Sequence, residues 1–257
     1  MARVFVTGSS TGLGLMAGQL LTAQDHEVVL HGRTQTRAEE ALAHVPGAQA
    51  AVVGDLSRIR DMRSVADQVN QIGRFDAVIH NAGIGYREPR RVETEDGLLQ
   101  VFAVNVLAPY VLTALITRPA RLIYLSSGMH HGTQPNLDDV LWRQRPWQGA
   151  QAYAESKLHD VLLAFAVARR WPEVRSNALE PGWVPTRMGG PNAPDDMSKA
   201  HTTQAWLAVS DDPLALSTGE YFYDQKLRRP NPLARSEDTQ DRLIEICSHL
   251  SGIALPN

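Results

Sequence analysis

Cysteine is almost absent from the sequence. Cys247 is the only cysteine among 257 residues. The chain therefore cannot form an internal disulfide framework, which is typical of a reducing compartment and predicts a cytoplasmic location. Cys247 lies within a late apolar pattern. This position predicts a small buried hydrophobic side chain and not a nucleophile.

Long apolar runs and an excess of basic charge are also missing. No stretch approaches the roughly 18 apolar residues of a membrane-spanning helix. The first strand-like run begins at Arg3, so no signal peptide is expected either. The formal net charge is −3. Without a strong positive field, the chain is not expected to bind nucleic acid or an anionic membrane surface, and we expect a small-molecule substrate.

Lysine is scarce too, and one of its three positions, Lys157, follows Tyr153 by four residues. Four residues are about one helical turn, so the hydroxyl and the ammonium share one face of a helix. A nearby cation favours the phenolate and lowers the pKa of a phenol from about 10 toward neutrality. The pair therefore predicts a general acid/base that exchanges a proton with a substrate hydroxyl or carbonyl.

Short apolar runs alternate with helical patterns along the chain. Strands are predicted at residues 4–6, 28–30, 51–53, 77–80, 122–125, 174–179 and 221–222, and two long helices at residues 98–116 and 153–170. Strict alternation implies parallel pairing with right-handed crossovers. We predict an α/β fold with a doubly wound parallel sheet (a Rossmann fold) of about seven strands flanked by helices, in one domain over residues 1–257.

Two segments, residues 128–149 and 183–196, interrupt the alternation. Long stretches without periodicity are usually functional or mobile, so both are expected to close a substrate pocket. Large side chains in them predict an apolar or aromatic substrate: Trp142, Trp147, Trp183 and Met188. The alternative is that these side chains only pack the loops down. The adjacent His130 and His131 lack further ligands at fitting spacing, so no metal site is predicted.

A doubly wound sheet binds ligands beyond the carboxyl ends of its strands. The first strand ends in a glycine-rich turn without the standard G-x-G-x-x-G spacing. Its glycines still allow close approach to a pyrophosphate, and the next helix aims its N–H groups at the anion. The residues predicted to contact the phosphates are Gly8, Ser10, Thr11, Gly12, Leu13 and Gly14. The alternative is an ordinary turn.

The next two strand ends predict the nucleotide. Arg33 follows the second strand, where an enzyme that prefers NAD usually has an acid, so NADP(H) is expected to be preferred over NAD(H). The alternative is a solvated surface arginine. Asp55, before Leu56, follows the third strand and either binds the adenine amino group or caps the next helix.

The remaining strand ends carry small or polar residues in the same way. These are Asn81, Ala82 and Gly83 after the fourth strand, Ser126 and Ser127 after the fifth, and residues 181–186 after the sixth. Small residues let a ligand lie against the backbone, and the asparagine can fix a turn. Agreement among all the strand ends favours a dinucleotide site more strongly than any single motif.

These motifs, in this order, resemble the short-chain dehydrogenase/reductase family over essentially the whole chain. The matching pieces are Thr7-Gly8-x-x-x-Gly12-x-Gly14, Asn81-Ala82-Gly83, Asn105, Ser126-Ser127, Tyr153-x-x-x-Lys157 and Pro181-Gly182. The runs at residues 126–132, 153–158 and 219–222 resemble the retinol-dehydrogenase-like branch. Many members of that branch carry an N-terminal membrane segment. None is expected here, which disfavours a retinoid substrate.

The resemblance implies a role for each matching residue. Tyr153 would be the general acid/base, Lys157 would hold the nicotinamide ribose and lower the pKa of Tyr153, and Ser127 would bind the substrate carbonyl. Asn105 would hold a water that relays protons, although a satisfied core amide is its alternative. Pro181, Gly182, Val184 and Thr186 would support the nicotinamide. The resemblance also implies a homodimer or homotetramer formed through the two long helices.

The expected function is an NADPH-dependent oxidoreductase that interconverts an alcohol and a ketone or aldehyde. Reduction of a carbon–carbon double bond on the same scaffold is one alternative, and an NADP(H)-binding sensor without turnover is another. The Tyr153–Lys157 pair counts against the sensor, which would not need it. An epimerase of sugar nucleotides would need a larger domain after Pro181 than the remaining residues can form.

Overall fold

The computed structural model describes residues 1–257 and contains one eight-stranded sheet. The strands are β1 (Arg3–Val6), β2 (Glu27–Gly32), β3 (Ala50–Val53), β4 (Ala77–His80), β5 (Arg121–Leu125), β6 (Arg175–Leu179), β7 (Tyr221–Tyr223) and β8 (Lys226–Leu227). Their order is β3-β2-β1-β4-β5-β6-β7-β8. The first seven strands pair in parallel, so the predicted doubly wound α/β fold is confirmed.

The eighth strand is the one addition to the predicted count of about seven. It pairs antiparallel with β7 across a two-residue turn, Asp224 and Gln225. Both turn residues have a positive φ, as the tight turn of a hairpin requires. The sequence did not predict this strand because two residues are too few to show an alternating pattern.

Helices cover both faces of the sheet. They are α1 (Gly12–Ala23), α2 (Gln35–His44), α3 (Ile59–Ile72), α4 (Gln100–Phe102), α5 (Ala108–Leu115), α6 (Gly149–Arg170), α7 (Thr202–Val209) and α8 (Glu237–Ser251). The larger apolar core lies against α3, α4, α5, α6 and α8, and the smaller one against α1, α2 and α7. No helix combines the length and the apolar character that crossing a membrane requires.

The two predicted long helices are present, but one contains an irregular turn and the other begins earlier than predicted. A π-helical turn, Ala103–Leu107, joins α4 to α5, so the helix predicted at residues 98–116 is one rod with a local bulge. α6 begins four residues before the predicted Tyr153, at Gly149. A Cβ at Gly149 would lie 2.5 Å from the Glu88 carbonyl oxygen, so only glycine tolerates this close approach. Cys247 is fully buried in α8, as predicted.

The strand order places the candidate site. It reverses between β1 and β4, so the connections leave these two neighbouring strands in opposite directions and open a crevice at their carboxyl ends. The glycine-rich turn follows β1 and the Asn81 turn follows β4, so both border this crevice. The residues after β5 and β6 continue along the same edge of the sheet.

Candidate active site

The turn after β1 has an open anion-binding geometry. Gly8 and Gly12 adopt φ values of +61° and +62°, which are strained for other residues. A Cβ at Gly8 would lie 2.8 Å from the Ala82 Cα, whereas one at Gly12 would meet nothing within 4 Å. α1 begins at Gly12 with no side-chain cap from Thr11 and no acid in its first turn. Its first N–H groups are therefore free to bind an anion.

Thr7 and Asn81 join this turn to the end of β4. The Thr7 Oγ1 accepts hydrogen bonds of 3.0 Å from the backbone N–H groups of Asn81 and Ala82. The Asn81 Nδ2 donates to the carbonyls of Thr7 and Gly8 at 3.0 and 3.1 Å. These hydrogen bonds fix the two strand ends relative to each other.

His31, which was not predicted as a site residue, supports the same turn from β2. Its Nδ1 accepts a hydrogen bond from the Gly8 N–H at 3.0 Å, so its Nε2 carries the proton and donates to the Gly54 carbonyl at 3.0 Å. Burial lowers the pKa of His31 to about 4, which keeps the ring neutral. The only sequence signal was a single histidine in an otherwise apolar strand.

The residues predicted to read the nucleotide lie at the ends of β2 and β3. Arg33 is exposed just beyond β2, and Leu56 is buried. The Asp55 carboxylate accepts a hydrogen bond from the Ser57 N–H at 3.0 Å, while the N-cap of α3 is Arg58. Of the two alternatives for Asp55, capping of α3 is therefore wrong.

Tyr153, Lys157 and Ser127 converge at the carboxyl ends of β5 and β6. The Tyr153 and Lys157 side chains are buried, and the Lys157 Nζ lies 5.8 Å from the centre of the Tyr153 ring. The Ser127 hydroxyl lies near the Tyr153 hydroxyl and lowers the pKa of the tyrosine. Ser126 is buried and donates to the Lys157 carbonyl at 2.7 Å instead. The second serine of the pair is therefore the one that faces the tyrosine.

The net pKa shift of Tyr153 is opposite to the predicted one. Burial raises the pKa of Tyr153, and the Lys157 ammonium and the Ser127 hydroxyl only partly lower it again. The nearby Asp160 and Tyr86 raise it further. The prediction of a lowered pKa was wrong because it considered the cation without the burial of the phenol. In the protein without ligands, Tyr153 is a protonated hydroxyl at neutral pH.

Asn105 lies in the π-helical turn and is almost fully buried. Its Oδ1 accepts from the Ile84 N–H at 2.8 Å, and its Nδ2 donates to the Ile84 carbonyl at 3.1 Å and to the Ser156 hydroxyl at 3.0 Å. A Cβ at Gly83 would lie 3.5 Å from the Asn105 Oδ1 and 3.6 Å from the Lys157 Nζ. The Asn105 and Lys157 side chains thus both lie close to Gly83. Asn105 also fixes the backbone after β4.

The segment 128–149 is tied to the side of α6 that faces away from Tyr153. Glu155, two residues after Tyr153 on the helix, binds the indole N–H of Trp142 at 3.0 Å and both terminal nitrogens of Arg145 at 2.7 and 2.6 Å. Trp147 packs edge-on against Trp142 with ring centres 5.5 Å apart. Both tryptophans hold this segment down, as in the alternative stated for them. Their predicted contact with a substrate stays a prediction.

The segment 183–196 closes against residues 85–87, a contact that the sequence did not predict. The Gly189 carbonyl accepts hydrogen bonds from Tyr86 (3.4 Å), Arg87 (3.2 Å) and Trp183 (3.0 Å). A Cβ at Gly85 would lie 2.7 Å from the Met188 side chain. The Tyr86 ring centre is 5.7 Å from that of Tyr153. Tyr86 therefore lies beside Tyr153 and Met188 lies against Gly85, whereas Trp183 is half exposed.

The residues predicted to support a nicotinamide lie just before this segment and in its first turn. Val184 is buried, Pro181 is half-buried, and Gly182 adopts a φ of +85°. A Cβ at Gly182 would meet the Asp195 carboxylate, which accepts a hydrogen bond from the Trp183 N–H. The Thr186 Oγ1 accepts from the Gly189 N–H at 3.0 Å. The segment is thus folded by its own hydrogen bonds at the carboxyl end of β6.

Comparison with known proteins identifies the family. The model of the short chain dehydrogenase family matches residues 2–196. An uncharacterized oxidoreductase of Emericella nidulans is 41% identical over 260 residues, which cover 100% of this chain and 99% of that protein. Human retinol dehydrogenase 13 is 30% identical over 285 residues, covering 99% of this chain and 86% of that protein. The chain belongs to the short-chain dehydrogenase/reductase family, and the predicted resemblance to its retinol-dehydrogenase-like branch is confirmed.

A solved structure supports the fold alone. The crystal structure of an uncharacterized protein from Mycobacterium paratuberculosis has a TM-score of 0.87, with 23% identity, and the match covers 100% of this chain and 96% of that chain. The family makes the protein an oxidoreductase. Its substrate and its choice between NADP and NAD are separate questions.

Proposed function

We propose that the protein is an NADPH-dependent oxidoreductase that interconverts an alcohol and a ketone or aldehyde. The observation that carries this proposal is the convergence of Ser127, Tyr153 and Lys157 beside the open turn after β1. Two hydroxyl groups that face each other can both contact one substrate oxygen. This arrangement favours reduction at a carbonyl over reduction of a carbon–carbon double bond.

The residues present fit a nicotinamide dinucleotide. The uncapped start of α1 suits the pyrophosphate, and the absence of a Cβ at Gly83 leaves a ligand close access to Asn105 and Lys157. Lys157 would hold the ribose there, with the turn at residues 181–186 beside the nicotinamide ring. When bound there, the nicotinamide would supply the hydride for reduction of a carbonyl and accept one for oxidation of an alcohol.

Proton transfer falls to Tyr153. Because burial raises its pKa, Tyr153 is protonated at neutral pH and donates its proton to the carbonyl oxygen during reduction. Ser127 donates a second hydrogen bond to the same oxygen and stabilises the charge that develops on it. In the oxidative direction the tyrosine must first lose its proton, so Lys157 is needed to stabilise the phenolate. Solvent then restores the starting protonation state.

The substrate pocket that we propose lies between Tyr153 and the segment 183–196. Tyr86 and Met188 offer an aromatic and an apolar surface there, which favours an apolar substrate. The exposed Arg33, at the end of β2 and without an acid beside it, favours NADPH because its guanidinium can bind a 2′-phosphate.

The first test is a fluorescence titration of the purified protein with NADPH and, in parallel, with NADH. We expect tighter binding of NADPH, and Arg33→Ala should remove that difference. Arg74→Ala is the matched control. Arg74 is exposed and precedes β4, at the amino ends of the strands, so its substitution should change neither affinity. Equal affinity for both cofactors in the wild type would refute the role of Arg33.

The second test is turnover in a screen of apolar ketones and aldehydes with the preferred cofactor. Tyr153→Phe should abolish reduction while leaving cofactor affinity within about threefold, and Ser127→Ala should lower kcat by about 100-fold. Cofactor binding without any turnover in the wild type would favour the sensor. The screen includes an α,β-unsaturated ketone, and loss of its carbon–carbon double bond with the carbonyl intact would favour the other alternative.

A further inference from the structure

Lys157 forms a buried ion pair with Asp160, one turn further along α6. The Lys157 Nζ lies 2.8 Å from the Asp160 carboxylate, and the two side chains are only 6% and 3% exposed. The same nitrogen donates to the Leu125 carbonyl at 2.7 Å. Two of the three ammonium hydrogens are thus engaged within the protein, and these two bonds fix the direction of the lysine side chain.

The protonation of Lys157 depends on this pair. Burial lowers the pKa of a lysine, and for Lys157 the burial is outweighed by Asp160 and Tyr153, so that its pKa is raised. Burial raises the pKa of Asp160 to about 7, although the Lys157 ammonium at 2.8 Å opposes that shift, so the ion pair is fully charged only above neutral pH. A buried ion pair is seldom more stable than apolar residues of the same volume, so stability alone does not explain why it is here.

No other group near Lys157 can replace the carboxylate. The titratable side chains that face the cluster of Tyr153, Lys157 and Asp160 from other elements are Tyr86, Tyr124 on β5, His80 behind Tyr124 on β4, and Tyr221 on β7. None of them is a carboxylate. Asp160 is the only acid within 4 Å of the Lys157 ammonium.

We propose that Asp160 is a positioning residue whose carboxylate keeps the Lys157 ammonium charged and held against Leu125, from where it acts on Tyr153. This inference rests on the proposed function, because it concerns how the proposed acid/base is activated. Without Asp160, the buried lysine loses its proton readily. The Tyr153 phenolate then loses the cation that stabilises it.

Lysine NMR tests whether Asp160 keeps Lys157 charged, and this measurement needs no substrate. The chain has only three lysines, and Lys199 and Lys226 are exposed. Protein labelled with ¹³C at lysine Cε should give three titrating signals, and Lys157→Met identifies one of them. In the wild type, Lys157 should titrate above the two exposed lysines. In Asp160→Asn it should titrate about 2 pH units or more below them. Asp241→Asn, which removes an acid paired with Arg169 and Arg170, should leave all three unchanged.

The pH profile of alcohol oxidation tests whether the charged Lys157 acts on Tyr153. The limb of kcat/KM that reports the Tyr153 phenolate should move to higher pH in Asp160→Asn, because the cation has the larger effect on the pKa of Tyr153 and its loss outweighs the loss of the carboxylate. A limb that stays in place or moves to lower pH would overturn the inference. So would a wild-type Lys157 that titrates together with the exposed lysines, a result that needs no variant to fold. A wild type that holds Lys157 charged but turns over no substrate would instead contradict the proposed function.

Discussion

Glu155 offers the sharpest test of how α6 holds the segment 128–149. Its carboxylate is only 2% exposed and accepts five hydrogen bonds, two of them from Arg145. Glu155→Gln keeps the shape but removes the charge and turns one acceptor into a donor that faces the guanidinium. Breaking a buried ion pair costs about 3 to 5 kcal/mol. Arg145 is 26% exposed and can regain some water, so we expect the low end of that range, about 3 kcal/mol.

Thermal unfolding followed by circular dichroism measures this loss. For a chain of this size, about 3 kcal/mol corresponds to a fall in Tm of about 6 to 12 °C. Glu40→Gln is the matched control, because Glu40 and its partner Arg37 are both more than 40% exposed. An exposed pair contributes less than about 1 kcal/mol, so the control should shift Tm by no more than about 4 °C.

The same variant separates stability from the candidate active site. Glu155 and Tyr153 are two residues apart and therefore point to different sides of α6. We expect Glu155→Gln to keep the NADPH affinity of the wild type at 25 °C, where it remains folded. A Tm equal to that of the Glu40→Gln control would refute the argument that this carboxylate holds the segment.

Three further predictions follow from the buried polar groups around the crevice. His31→Leu removes the acceptor for the Gly8 N–H, so NADPH should bind about tenfold more weakly in a fluorescence titration, whereas the exposed His44→Leu should bind normally. The folded-state pKa of His31 is lowered to about 4, so the neutral ring stabilises the fold fully above pH 6.5 and this effect is lost as the pH falls toward 4. The Tm of the wild type should therefore fall between pH 6.5 and pH 4, and the Tm of His31→Leu should fall less steeply. Asn105→Ala leaves the N–H and the carbonyl of Ile84 without their partner, so the free energy of unfolding should fall by about 2 to 3 kcal/mol. Hydrogen exchange of the Ile84 amide should also accelerate, and an unchanged exchange rate would contradict this role.

Patterns along the chain were sufficient to predict the architecture and to place most of the motifs at the carboxyl ends of the strands. Alternation of short apolar runs with helical spacing predicts parallel strands, and parallel strands bring their carboxyl ends to one edge. Helical periodicity alone puts Tyr153 and Lys157 on one face. Each of these conclusions depends on residues close in sequence or on a general rule of chain topology, so no distances were needed.

Contacts between distant residues decided what those patterns could not. The sequence did not predict that Trp142 binds Glu155 on α6 or that Trp147 packs against Trp142 and donates to the Glu88 carbonyl. It was silent on His31 and Tyr86, which meet Gly8 and Tyr153 only through folding. No local pattern marks such positions, because their surroundings come from other strands and loops.

The spacing of Tyr153 and Lys157 determined by itself that a phenol and an ammonium lie within one helical turn. Only the tertiary structure decided the sign of the resulting pKa shift. Burial of the phenol and the Asp160 carboxylate oppose the cation, and together they outweigh it. Spacing along a helix sets which groups are neighbours, whereas the free energy of a charge also depends on how much water the rest of the fold removes from it.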